Sequence, residues 1–566
     1  MKKAFLSILP FFIGISMIAF FLFSLTGCDR YSNRYSNSTN PQEYLEFELL
    51  EDDTYAVIGF SGRFIKNLII PSSHNDKLVS TIKAQSFKME RGIWGREINL
   101  PIETLIIEDG IKVIEEEAFY NCGLIDVFLP NSIETIGYYA FSENEAEINF
   151  PSSIKNLGEY ALYGTKLNGN IDLTNVDCDK GALSGTNITA VKFSDSLTEI
   201  PESLCYDCPL LTQVDFPSGL ITIGKGAFNN CTSLEEIDLP EGLEVIGRQA
   251  FLNSGLKEVV LKSGLSEIDS SAFADCEKLE KVVFPNQSFI LRERVFESCL
   301  KLNDVVFGKS LINIGQAFNY CPLSNMSVAL DSDYEIIGGC LAQIINEKYT
   351  LVLGYGNFSQ FELFNTIGEY AFAGRSFDYL EVGSNIDLID NYAFYYSNID
   401  EANISSLLVD VSAFEYASLN KLTISSKEIR THAFYNVNNL IEVIVGEGCE
   451  IINQEVFSCC FELEKVTLPA SLKAIKKGAF IQCHKLKEVY YDLTSGAPVK
   501  MYAGNFIQYI SHRTNENGKI DVKINDDFLI FVYSGVYQNC LDTWGDLPVN
   551  ENFAYSDNLV SRIRLR

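Results

Sequence analysis

Apolar and polar residues recur along most of this chain in one repeated phrase. Its clearest copy has Leu234, Ile237, Leu239 and Pro240, then Leu243, Ile246 and Gly247, then Ala250 with Phe251. The next copy gives Leu256, Val259 and Leu261, then Ile268, Ala272 with Phe273, and Cys276. Copies follow one another at 20 to 24 residues. The Ala-Phe step, or a close substitute, returns from Phe87 to Phe318 and again from Phe372 to Phe480, about seventeen times. Such a period marks a solenoid, whose repeats touch mainly their neighbours.

Each part of the phrase has a physical role. Leu-x-x-Ile-x-Leu alternates, which predicts a short strand with its apolar side inward. One strand per coil, stacked in parallel, predicts a sheet along the array, and the crossover rule makes the winding right-handed. Proline at Pro130, Pro151, Pro217, Pro240, Pro285 and Pro469 ends the strand, since it cannot donate to the ladder. Glycine at Gly137, Gly224, Gly247, Gly315 and Gly368 suits a tight turn with positive φ. Alanine permits close approach of coils, and the phenylalanine rings are expected to stack as a spine. The expected fold class is a β-dominated α/β solenoid, with short helical turns opposite the parallel sheet and a C-terminal cap. The cap is required to cover the last open edge.

The phrase Leu-x-x-Ile-x-Leu-Pro, continued by Ile-Gly-x-x-Ala-Phe-x-x-Cys, resembles the BspA-like leucine-rich-repeat family of surface proteins. The resemblance covers about residues 50 to 490. It includes an opening segment, Asp53 to Val57, leading to Ile69, Ile70 and Pro71. The interruption at Tyr334 to Tyr355, with Gly338, Gly339, Cys340 and Leu341, is similar to the family's hairpin-bearing long repeat. Ile530, Phe531 and Val532, with Tyr537 and Trp544, are similar to its closing cap, although Tyr533 stands where a proline is usual. The resemblance implies an adhesin for host extracellular matrix proteins or another cell surface. Periodicity alone implies only a scaffold.

The N-terminus carries a processing signal. Lys2 and Lys3 precede an apolar run from Ala4 to Ser24, followed by Leu25, Thr26, Gly27 and Cys28. This resembles the bacterial lipobox, in which the cysteine is lipidated and acyl chains hold the protein to a bilayer. An uncleaved membrane anchor is the competing reading, because the run is long enough to span. Both export the remainder. The expected organisation is therefore 1–28 lipoprotein signal peptide, 29–44 polar tether, 45–490 solenoid interrupted near 325–365, and 491–566 cap.

Composition narrows the partners. The chain is 47% hydrophobic and 12% aromatic, too apolar for disorder. A formal charge of −31 argues against nucleic acid. Eight cysteines (Cys122, Cys208, Cys231, Cys276, Cys299, Cys321, Cys460 and Cys483) fall three residues past the Phe column. A fixed place in every coil predicts a reduced packing column, against a ladder of disulfides. The four histidines His74, His432, His484 and His512 lack ligand spacing, so no metal and no cofactor are expected. No nucleophile elbow, phosphate loop or zinc-protease motif occurs, and the expectation is that the chain is not an enzyme.

The surface suited to recognition is the outward strand face. Lys257, Glu258, Glu280 and Lys281 place opposite charges on neighbouring coils, where they either pair with one another or meet a ligand. Val260, Val283 and Val306 form an outward apolar stripe on successive coils, with Ile444 and Tyr490 further along the same face. Such a stripe marks a contact site or simply reflects valine's fit to strands. The sequence thus supports a lipid-anchored surface adhesin or protein-binding scaffold, and alternatively a structural or self-associating envelope protein without a soluble ligand.

Overall fold

The computed structural model describes residues 41–61, 66–88, 102–309, 311–312 and 314–492, and in the C-terminal region 509–514, 520–523, 529–532, 553–555 and 563–565. Cys28, the apolar run before it, Tyr537 and Trp544 lie outside the described residues. The chain winds as a β-solenoid of about 19 turns, with parallel sheets. The turns beyond the counted phenylalanines include the opening segment and the hairpin, which lack the Ala-Phe step.

Two parallel ladders run along the coils where one was expected. The first is the Leu-x-x-Ile-x-Leu strand, as in Glu258–Val260, Lys281–Val283 and Asp304–Phe307, paired in register. It is not one continuous sheet. Among the described residues it divides into sheets of four, three, four and eight strands. One break falls at Leu234 to Leu239, the clearest copy of the phrase, which contributes no strand although Leu234 and Leu239 are buried. The second ladder consists mostly of strands of two residues just before the glycine or the residue in its place, such as Thr222–Ile223 before Gly224, Val245–Ile246 before Gly247 and Glu267–Ile268 before Asp269.

The glycines serve this second ladder. Gly247 N–H donates to the Ile223 carbonyl of the coil below at 2.8 Å, and a Cβ on Gly247 would lie 2.8 Å from that same oxygen. Gly224 repeats the relation with Ile200, where a Cβ would approach to 2.5 Å. None of Gly137, Gly224, Gly247, Gly315 and Gly368 has positive φ. The requirement is close backbone approach, and the expected positive-φ turn is corrected accordingly.

The left-handed positions flank the Ala-Phe step instead. Gln249 and Asn253 around Ala250 and Phe251 have φ of 57° and 52°, and Ser271 and Asp275 repeat the pattern. A left-handed residue on each side of the Ala-Phe step interrupts any run of i→i−4 bonds, so no helix propagates. Every second N–H turns to the next coil: Gln249 to Ser270, Phe251 to Ala272, Asn253 to Ala274. The expected short helical turns are therefore replaced by a third coil-to-coil ladder. Among the described residues only Ile314–Ala317 is α-helical, with 3₁₀ turns at Pro41–Tyr44 and Phe361–Leu363.

The core is threaded by the phenylalanine spine. Phe228, Phe251, Phe273, Phe296 and Phe318 stack at centroid distances of 5.2–5.4 Å. Phe372 through Phe480 repeat this at 4.6–5.3 Å. Burying each ring contributes about 1.5–3 kcal/mol. An antiparallel hairpin, Cys340–Ile345 with Lys348–Leu353, sits between two cores. Leu341 and Leu353 pack into the first, Cys340, Ala342 and Leu351 into the second. Beyond residue 490 the first ladder continues into Leu529–Val532 and Ile563–Leu565.

Candidate functional site

The outward face follows from strand alternation. Val259, Val282 and Val305 turn inward and are fully buried, which forces Glu258 and Val260, Lys281 and Val283, and Asp304 and Val306 to the other side. Val260, Val283 and Val306 lie in register on three adjacent strands. Val260 is 44% exposed, whereas Val283 and Val306 are half-covered by their neighbours. The apolar stripe is thus short, bounded by Asp238 on one side and Ser327 on the other.

Charge pairing surrounds this stripe. Lys281 Nζ stands 2.8 Å from Glu258 Oε1 on the preceding strand, and that hydrogen bond raises the lysine pKa. Lys257 bonds to Glu235 of the coil below, with the same effect. Glu280 is exposed beside them. These pairs are solvated and contribute little to stability. They fix the orientation of long side chains around the valines and leave carboxylates available to a partner.

Ile444 and Tyr490 occupy the eight-stranded sheet on the far side of the hairpin, so the structure does not bring them together with the valines. Ile444 is half-buried, in register between Thr423 and Thr467. The Tyr490 hydroxyl donates to Glu488 at 3.1 Å, and the Lys465 ammonium lies 5.3 Å from its ring centroid. Lys465 is itself held by Glu442 at 2.9 Å. The strand face therefore offers two apolar spots, each inside a frame of ion pairs.

Sequence reading missed two features. Ile106 and Phe128, 38% and 55% exposed, are register partners in the same outward column as Val260. The signal was present, since each holds the last x of Leu-x-x-Ile-x-Leu. The second feature is a tyrosine edge beside the Ala-Phe step. Tyr370 stacks on Tyr392 at 5.0 Å, and Tyr396 on Tyr416 at 5.0 Å. A parallel group joins Tyr139 to Tyr160 at 5.2 Å.

The eight column cysteines are buried. Each donates to the carbonyl at the spine position of the coil below, as Cys276 to Phe251 at 3.2 Å and Cys483 to Phe457 at 3.1 Å. Burial pushes the Cys460 thiol up to about 12, away from nucleophilic use at neutral pH. Among the described residues no group of three His, Cys, Asp or Glu side chains is placed to hold a metal, and no helix is long and apolar enough to cross a membrane.

The family described as "BspA type Leucine rich repeat region" matches this chain in six copies, over residues 98–210, 198–325, 357–440 and 408–496. The gap between them contains the antiparallel hairpin. Among solved structures, a leucine-rich repeat protein from Bacteroides ovatus is 19% identical, with 79% of this chain and 93% of that chain covered and a TM-score of 0.41. A leucine rich cell surface protein from Faecalibacterium prausnitzii is 17% identical, covering 81% and 94%, with a TM-score of 0.27. The pneumococcal vaccine antigen PcpA is 14% identical, covering 92% and 96%, with a TM-score of 0.26. No curated protein matches the chain.

Proposed function

The chain belongs to the family of BspA-type leucine-rich-repeat proteins, and from that premise we propose that it is a surface adhesin or protein-binding scaffold. Proteins of this solenoid family are typically scaffolds without catalysis. The observation that carries the reading is the outward strand face, with Val260, Val283 and Val306 in register inside a frame of paired charges. The ligand is a protein of the host matrix or of another cell. Apolar contact at the valines supplies affinity, and the surrounding Glu258, Glu280, Lys257 and Lys281 select the partner by charge. Ile106 with Phe128, and Ile444 with Tyr490, add further contact points along the array.

On this reading Cys28 carries the lipid anchor, residues 29–44 space the solenoid from the bilayer, and residues 491–566 close its far end. Anchoring many copies on one surface multiplies weak contacts into avidity. The experiment is binding of the full chain to immobilised matrix proteins, compared with a Val260→Asp, Val283→Asp, Val306→Asp variant, alongside protease shaving of intact cells. Tenfold or greater loss of binding, with the protein removed by shaving, supports the proposal. Unchanged binding by the triple variant removes the strand face. Self-association of the body without any matrix binding favours the structural alternative.

A further inference from the structure

A cleft opens on the tyrosine edge, where the coil ending in Phe318 meets the coil ending in Phe372. The hairpin accounts for the sequence skipped between them. The cleft holds about 230 Å³ and is lined by Arg294, Glu297, Asn319, Tyr320, Tyr395 and Tyr396. It lies apart from the strand face and does not depend on the adhesin reading.

Its floor is set by a missing side chain. Two residues past the spine, successive coils carry Ser298, Tyr320, Gly374, Tyr396 and Tyr416, all in the left-handed backbone region. Tyr396 and Tyr416 stack on each other, but Gly374 interrupts the column. A Cβ there would come within 2.6 Å of the Tyr320 ring. Glycine therefore lets that ring lean over the junction. Tyr320 and Tyr396 remain 38% and 46% exposed on either side. Tyr395 meets Tyr396 edge-on at 4.7 Å.

The polar lining is mixed and close to neutral. Arg294 offers donors, Glu297 offers a carboxylate, and the two stand 3.8 Å apart. Asn319 is only 6% exposed, and its Oδ1 has no hydrogen-bond partner. Asn229, one residue past Phe228, carries the same unpartnered oxygen, so this is a feature of the repeat that the cleft inherits. Burial also raises the Glu297 carboxyl above its usual range.

We propose that this cleft is a saccharide subsite that takes one uncharged, hydroxyl-rich sugar ring. A sugar ring has an apolar C–H face and a polar edge. The first fits the exposed tyrosine rings; the second supplies hydroxyl donors to Glu297 and acceptors to Arg294. A metal ion would lack ligands here, an organic cation would meet Arg294, and an anion would meet Glu297. The volume lies below the ~300 Å³ at which drug-sized pockets begin, so one ring enters and the rest of the glycan runs along the tyrosine edge.

The test is an array of lactose-, maltose- and N-acetylglucosamine-based oligosaccharides beside sialylated ones, probed with the full chain. The expected result is retention on at least one uncharged oligosaccharide, reduced tenfold or more in Tyr396→Asn and in Tyr320→Asn. Asparagine accepts the left-handed backbone at both positions, so an unchanged melting temperature confirms that the fold persists. The Val260→Asp, Val283→Asp, Val306→Asp variant keeps full retention, which separates this site from the strand face. No retention at all, retention on sialylated glycans only, or retention unaffected by either tyrosine substitution overturns the proposal.

Discussion

The Arg375 guanidinium donates from Nη2 to the carbonyl of Phe318, 3.0 Å away across 57 residues of sequence. Arg375 stands three residues past Phe372, the place that cysteine holds in other coils, and Phe318 O is the acceptor that a cysteine of the next coil would have used. The guanidinium reaches across the gap left by the hairpin, also donating from Nε to Gly354 O at 3.2 Å. It is 4% exposed, and burial pulls its pKa down to about 10, which leaves it charged near pH 7. Carbonyl dipoles, not a carboxylate, stabilise the charge.

Arg375→Ala is therefore expected to destabilise the chain by about 3 kcal/mol, because two buried carbonyls lose their donors and a void opens between the two cores. Arg375→Lys should recover little, since an ammonium cannot span the fork of acceptors. Urea unfolding of both variants checks this. Loss of less than about 1 kcal/mol in the alanine variant would mean the bridge is dispensable.

Gly247→Ala is expected to cost roughly 1–3 kcal/mol through backbone displacement alone, since its Cβ would press on the Ile223 carbonyl of the coil below. Gly242→Ala, where the nearest atoms lie at 3.9 Å, should be close to neutral. Paired thermal melts of the two variants discriminate close approach from a general intolerance of alanine in turns.

Buried thiols make the fold sensitive to alkali. Burial raises Cys340, Cys449 and Cys460 to about 12, against an ordinary value of 9.0. The folded chain keeps these protons while the unfolded chain releases them. Stability from this source is complete below pH 9 and is lost as pH rises from 9 toward 12. Denaturant midpoints should fall across that window, and the fall should be shallower in a Cys449→Ser, Cys460→Ser variant. Iodoacetamide at pH 8 should label these thiols only after unfolding.

Much of the architecture is written in the chain. The strand face is legible because Leu256, Val259 and Leu261 alternate over enough residues to show a period of two, and the Phe spine is legible from its spacing. The second ladder is hidden because Val245 and Ile246 form a strand of two residues, too short to alternate. Gly247 misleads, since a glycine required by a neighbouring coil looks the same as one required by φ. Short helical turns opposite the sheet are the expectation that fails. Asn121, Asp207, Asn230, Asn253, Asp275 and Asn436 repeat the residue types that tolerate the left-handed region, and they announce the break. The valine stripe was legible as a column; its division from Ile444 and Tyr490 was not, because nothing local marks where a sheet ends.

The most direct test of the account is amide hydrogen exchange resolved to the segments 247–253 and 258–261. Three coil-to-coil ladders require the N–H groups of Gly247, Gln249, Phe251 and Asn253, which all donate to a neighbouring coil, to exchange as slowly as the strand at Glu258–Val260. Rapid exchange across 247–253 beside a protected strand would mean that only the sheet is held in register and that the Ala-Phe edge is loose, contradicting the stacked coil described here.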